Sequence, residues 1–166
     1  DHPFYNLATS VANSIAMAGY GIITGGGPGI MEAANKGSQE VNGISVGLNI
    51  ALPFEQTSNP YIDKDKNLSF EYFFIRKVMF VKYAQAFVVL PGGLGTLDEL
   101  FESLTLIQTK KIKRVPIILV GTKFWEGLVE WIKSVLIKNQ MISKQDLDLF
   151  SVVDTHLEVG HFSVDV

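Results

Sequence analysis

Phe87-Val88-Val89-Leu90-Pro91-Gly92-Gly93-Leu94-Gly95-Thr96-Leu97-Asp98-Glu99 is the stretch that decides the fold. A short apolar run containing β-branched residues meets a proline and three glycines. Leu97, Leu100, Phe101, Leu104 and Ile107 then recur at helical spacing. The stretch therefore predicts a buried strand, a tight loop and a helix N-terminus. Such a loop brings backbone N–H groups to the positive end of a helix, which suits an anion such as phosphate. Glycine serves there because a Cβ would block close approach of a ligand to the backbone. Glu99 falls one turn into the helix, on the face of Gly95 and Thr96. Thr96-x-x-Glu99 also has the spacing of a capping box with Thr96 as N-cap, so the carboxylate has a structural as well as a chemical reading.

The same pattern occurs earlier in the chain. Tyr20-Gly21-Ile22-Ile23-Thr24 reads as a strand, Gly25-Gly26-Gly27-Pro28-Gly29 as its loop, and Ile30-Met31-Glu32-Ala33-Ala34-Asn35-Lys36 as the opening of a helix. Four glycines around one proline exceed what a tight turn requires, so the loop reads as a second phosphate or ribose cradle. It is not a dinucleotide fingerprint: after Gly25-x-Gly27 the third glycine, Gly29, comes too early. The following strand, Ile44 to Leu48, also ends without the acidic residue that would hold a ribose 2′-hydroxyl. No G-x-x-x-x-G-K-[ST] segment supports a P-loop NTPase.

The remaining segments fit around these two loops. Asp1 is a cap candidate and Pro3 a first-turn residue for a helix with Leu7, Val11 and Ile15 on its apolar face, joined by Ala8 and Ala18, and Gly19 ends it. Ala51 to Lys66 reads as a surface loop and Asn67-Leu68-Ser69 as a short strand. Phe70 to Tyr83 is a helix apolar on almost every side, which predicts burial in the domain or against a second subunit. Arg76 in its middle cannot shed its charge and needs a carboxylate or phosphate, with Glu71, Glu99 and a ligand as candidates. Lys110 to Arg114 reads as a solvated helix end. Val115 to Val120 is another buried strand, Phe124 to Leu136 a core-facing helix, Ser143 to Asp146 a capped short helix and Phe150 to Val153 a last strand. The tail from Asp154 gives no reading. Alternating strands and helices predict an α/β fold with a mostly parallel sheet, helices on both faces, and the site at the strands' C-terminal ends.

Composition narrows the function. At 166 residues the expectation is one domain over residues 1–166. A formal charge of -3 argues against a general nucleic-acid binder. The absence of cysteine excludes a disulfide scaffold, thiolate catalysis and a Cys-based zinc site. His2, His156 and His161 lie near the termini and form no metal constellation, so neither metal nor cofactor is expected. With no membrane-length apolar run and no signal peptide, a cytoplasmic protein without membrane partners is the expectation.

Gly25-Gly26-Gly27-Pro28-Gly29-Ile30-Met31, Arg76-Lys77 and Pro91-Gly92-Gly93-Leu94-Gly95-Thr96-Leu97-Asp98-Glu99 together resemble the LOG (LONELY GUY) family, in order and spacing and over essentially the whole chain. The resemblance implies a Rossmann-like fold and a phosphoribohydrolase that cleaves the N-glycosidic bond of a nucleoside 5′-monophosphate. Free base and ribose 5-phosphate are the products, and the substrate is a cytokinin riboside monophosphate or an AMP-like nucleotide. Carried over by motif, Arg76 and Glu99 are the catalytic pair. Gly92, Gly93, Gly95 and Thr96 are the phosphate cradle, and Gly25, Gly26, Gly27, Gly29, Met31 and Lys77 complete the substrate site. The resemblance further implies a homodimer. Relatives usually begin with a strand and a short loop before the first helix, whereas this chain starts at the helix. Members are often labelled as lysine decarboxylases, but nothing here resembles a pyridoxal-phosphate lysine site. The alternative from another class is a nucleotide or molybdenum-cofactor carrier, which would use similar glycine loops to hold phosphate without hydrolysis.

Overall fold

The computed structural model describes residues 3–52 and 57–162, with side chains as far as residue 159. Asp1, the expected cap of the first helix, and His2 lie outside the described residues, as does the side chain of His161. The chain forms two compact units, one running to Ala84 and including the helix that starts at His156, the other spanning Gln85–Thr155.

The first unit contains α1 (Pro3–Met17), β1 (Ile22–Thr24), α2 (Ile30–Glu40), β2 (Ser45–Ile50), β3 (Asn67–Phe70) and α3 (Phe73–Tyr83). Its strands form a parallel sheet with β2 in the centre, pairing Thr24 with Gly47 and Gly47 with Asn67. The second contains β4 (Phe87–Val89), α4 (Leu94–Gln108), β5 (Ile117–Val120), α5 (Thr122–Trp131) and β6 (Ser151–Val153), again with parallel strands and β5 central. The last helix, α6 (His156–Phe162), packs on α1 in the first unit. Parallel pairing throughout and alternating helices give the α/β class that the strand–loop–helix pattern predicts. No helix among the described residues is long and apolar enough to cross a membrane.

In the first unit the end of α1 follows its sequence. The N–H of Gly19 (φ 93°) donates to Ala16 O at 3.0 Å and that of Tyr20 to Ile15 O at 3.3 Å, a Schellman stop. The buried face keeps Ala8 and Val11 of the one read and adds Ala12, while Leu7 and Ile15 are half-buried and Ala18 is exposed beyond the helix. Small side chains win because α2 comes very close. A Cβ on Gly37 would lie 2.2 Å from Thr9 O and 3.1 Å from Ala12 Cβ. The Tyr5 hydroxyl ties the two helices by donating to Glu32 Oε1 at 2.8 Å. Partial burial, then that carboxylate, push the phenol up to about 12.

In the second unit all four residues of β5 are buried, and Trp125 closes the core with its indole N–H donating to Val120 O at 3.1 Å. Leu100 and Ile107 of α4 pack into the same cluster. After α5 the chain continues as a π-helix over Ile132–Ile137. A 3-10 helix, Lys144–Leu149, carries the capping box read from Ser143 and Asp146.

α3 is the main departure from expectation. None of its side chains is buried, and Phe73, Phe74, Ile75, Val78 and Tyr83 are exposed. Within its unit α3 meets β2 and β3. An all-round apolar helix that rests on the sheet by one side leaves the rest in solvent, so burial inside the domain is overturned.

Candidate active site

The Gly25–Gly29 loop leaves the C-terminal end of β1 and is shaped by amides and hydroxyls that are themselves buried. Thr24 Oγ1 accepts the Gly26 N–H at 3.0 Å and donates to Asn35 Oδ1 at 2.6 Å. Asn35, fully buried in α2, donates through Nδ2 to Ser45 Oγ at 2.8 Å and to Val46 O at 3.3 Å. Its Oδ1 also accepts from Asn59 Nδ2 at 2.9 Å, so both ends of the carboxamide are used. Asn59 reaches the loop itself, donating from Nδ2 to Gly26 O at 3.2 Å and Gly27 O at 3.1 Å. A buried polar cluster of this kind is costly unless satisfied, and here each member has partners.

Two glycines of this loop stand close to other residues, and Gly26 is the one whose backbone also requires glycine. Gly26 has φ 76° and lies against Asn49, whose Oδ1 would stand 2.2 Å from a Cβ there. Gly25 brings the backbone up to two predicted site residues: a Cβ would sit 2.8 Å from Met31 Sδ and 3.7 Å from Arg76 Nη1. Gly25, Met31 and Arg76 thus converge. Arg76 is held from its own helix, its guanidinium carbon 5.1 Å from the Phe73 ring centre and 5.9 Å from that of Phe80. These rings stand three residues before and four after it, on one face of α3. Its Nε is shut off from solvent, and Lys77 follows, half-buried. Gly29 (φ 76°) is the N-cap of α2 and, as a glycine, offers no side-chain cap. The first N–H groups of an α-helix have no partner within the helix, which suits an anion at this end.

The second loop lies in the other unit. α4 starts at Leu94 with Gly93 as N-cap and no side-chain cap hydrogen bond. This overturns the capping-box reading of Thr96 and Glu99, because Thr96 is already the third helical residue. Its side chain folds back over Gly92, where a Cβ would meet Oγ1 at 2.1 Å. Gly93 and Gly95 face open space, and Glu99 is half-buried in the following turn. Both glycine loops thus lead into helices whose N-cap residue is a glycine. Arg76 belongs to the first unit and Glu99 to the second. Among the described residues no group of three His, Cys, Asp or Glu comes together to hold a metal.

The sequence reading missed Thr24, Asn35, Ser45 and Asn59. Three sit in elements read for their apolar periodicity, and Asn59 sits in a segment read only as surface loop. Asn59-Pro60 was a turn signal there, and nothing local marks a buried turn amide from an exposed one.

The family described as "Possible lysine decarboxylase" matches residues 31–161. A Mycobacterium tuberculosis protein named cytokinin riboside 5′-monophosphate phosphoribohydrolase is 30% identical over 151 residues, covering 89% of this chain and 79% of its own. The chain belongs to the LOG family. A Mycobacterium marinum member of the same name is 29% identical to this LOG-family chain over 155 residues, covering 92% of it and 82% of the relative. Among solved structures, the X-ray structure of TM1055 matches with a TM-score of 0.72 at 23% identity, covering 100% of this LOG-family chain and 92% of that one. The molybdenum cofactor carrier protein of Chlamydomonas reinhardtii matches at 0.69 with 20% identity, covering 99% and 87%. These two likenesses show the Rossmann-like fold.

Proposed function

We propose that this protein hydrolyses the N-glycosidic bond of a nucleoside 5′-monophosphate, a cytokinin riboside monophosphate or an AMP-like nucleotide, to free base and ribose 5-phosphate. The observation that carries the reading is the fixed guanidinium of Arg76 beside Gly25, next to the start of α2 at Gly29. A permanent cation and the N–H groups of a helix start suit a phosphorylated sugar. The names of the mycobacterial relatives supply the reaction class. The carrier likeness, at 20% identity, speaks for the fold alone.

In this reaction the C1′–N bond breaks and its electron pair leaves with the base, which takes up a proton. Water oxygen bonds to C1′ and gives up a proton. Positive charge develops at C1′ on the way, and the Glu99 carboxylate stabilises it or orients the water. Arg76 holds the phosphate-bearing sugar, with Gly25, Gly26, Gly27, Gly29, Met31 and Lys77 as its surroundings. Gly92, Gly93, Gly95 and Thr96 form the phosphate cradle at α4. The working form is a homodimer that covers the apolar side chains exposed on α3.

Release of free base from a panel of nucleotides and nucleosides tests the reaction and ranks the bases. Glu99→Gln tests the assignment within it. Gln keeps the shape and hydrogen-bonding oxygen of Glu99, so the variant keeps its fold. Its kcat falls by roughly two to three orders of magnitude with little change in KM. A variant that releases base at close to the wild-type rate removes Glu99 from the chemistry.

A further inference from the structure

Asn59 lies in the segment joining β2 to β3, outside every glycine and charge motif of the chain, yet it is buried against the Gly25–Gly29 loop. Its backbone N–H donates to Gly26 O at 2.8 Å. Its Nδ2 faces three acceptors, Gly26 O, Gly27 O and Asn35 Oδ1. Its Oδ1 accepts the Tyr61 N–H at 3.1 Å, which fixes which way the carboxamide faces.

We infer that Asn59, seated on Asn35, is a positioning residue: it sets the direction of the N–H groups in the Gly25–Gly29 loop and thereby the affinity for phosphorylated ribose. The inference rests on the nucleotide reading above. A trans peptide points its carbonyl and its N–H in opposite directions. With Gly26 O drawn to Asn59, the N–H of Gly27 is turned away from it. Gly27 O is drawn the same way, and Pro28 has no N–H to present. The Gly26 N–H is already taken by Thr24 Oγ1. Beyond Gly26 the donors that this arrangement presents are the N–H groups of Gly27 and Gly29 and those at the start of α2. A run of glycines would otherwise lose much backbone freedom on gripping a ligand. Asn59 and Asn35 remove that freedom beforehand, which is preorganisation.

The three converging acceptors demand a donor, so Asn59→Asp is the informative variant. It keeps the shape but places an acid among oxygen atoms, which favours its protonated form, and that form donates one hydrogen bond. Asn59→Ala removes the side chain without adding a titrating group. The titratable groups on the elements that meet Asn59 are Tyr61, Asp63, Lys64, Asp65 and Lys66 in its own segment and Glu32, Lys36 and Glu40 on α2, and Arg76 approaches the other end of the loop at Gly25. All are shared with the wild type and cancel in a ratio of variant to wild type.

The experiment measures AMP hydrolysis from about pH 5.5 to about pH 8.5, ribose 5-phosphate binding by calorimetry, and thermal melting, for wild type and both variants. Expected is a roughly tenfold or larger rise in KM for AMP with kcat within about threefold, since the loop holds the phosphorylated ribose alike in ground and transition states. The Asn59→Asp to wild-type KM ratio narrows as pH falls, while the Asn59→Ala ratio stays flat. Lower melting temperatures with KM and ribose 5-phosphate affinity unchanged would mean that Asn59 only supports the fold, and would overturn the inference. A wild type that releases no base from AMP or from a cytokinin riboside monophosphate, yet binds ribose 5-phosphate in a way that Asn59→Asp weakens with the same pH dependence, supports the positioning role and rejects hydrolysis. A wild type that binds neither AMP nor ribose 5-phosphate overturns both.

Discussion

Arg76 and Tyr5 place their polar groups by opposite means. Arg76 stays charged at any working pH and is steadied by the faces of Phe73 and Phe80. Tyr5 stays neutral, and the Glu32 carboxylate beneath its hydroxyl helps to keep it so. The sign of the resulting pH effect follows from linkage. The Tyr5 phenol is raised from 10.0 to about 12 in the folded protein, so between those values the folded state holds a proton that the unfolded chain has released. The contribution is complete below pH 10 and is lost as pH rises through 12. Tyr5→Phe should cost about 1 kcal/mol near neutrality for the missing hydrogen bond. Its stability should then decline less steeply than wild type above pH 10, as urea midpoints on the two proteins will show. Equal slopes in that window would remove Tyr5 from the alkaline transition. At this scale the chemical types were legible in the sequence: a guanidinium in an apolar helix and glycines after strands need few explanations. Asn35 and Asn59 were not legible, because a buried amide is recognised by its partners, and those come from distant parts of the chain.

Boundaries and faces of the elements separate what propensity decides from what packing decides. The Gly19 stop of α1 and the Ser143–Asp146 cap are local chemistry and were readable. The buried face of α1 was readable in part: Ala8 and Val11 were read, but Ala12 was not, because the approach of α2 at Gly37 selects it. The start of α4 was misread for a similar reason: Thr96 has cap chemistry, but Gly93 already holds the N-cap position. Gly37 carries the α1–α2 contact. Gly37→Ala would drive a Cβ to within 2.2 Å of the Thr9 carbonyl oxygen, and a backbone atom cannot yield as a side-chain tip can. The expected loss is about 1–3 kcal/mol, the usual range for overpacking. Thermal melting is the check, and an unchanged transition would show that the helices separate at no cost.

For the whole molecule, the exposed apolar side of α3 is the feature that asks for a partner. Phe74 is 66% exposed and Val78 59%, on a helix otherwise suited to a core. If a second copy covers this face, light scattering gives a dimer for wild type and a monomer for Phe74→Asp, each with an unchanged far-ultraviolet spectrum. A well-folded wild-type monomer at micromolar concentration would leave α3 without that role.

β5 has a different consequence. Its residues are buried on both faces and it is hydrogen-bonded along both edges, to β4 and to β6. Its amides can meet deuterated solvent only when the unit around them opens as a whole. β2, flanked by β1 and β3, is likewise the central strand of the first unit, though only partly buried. Exchange at these two strands therefore reads two separate opening free energies along one chain. If the two converge on one value, the protein opens as one cooperative body. If β5 is slower, the half that carries Glu99 stays closed while the half that carries Arg76 breathes.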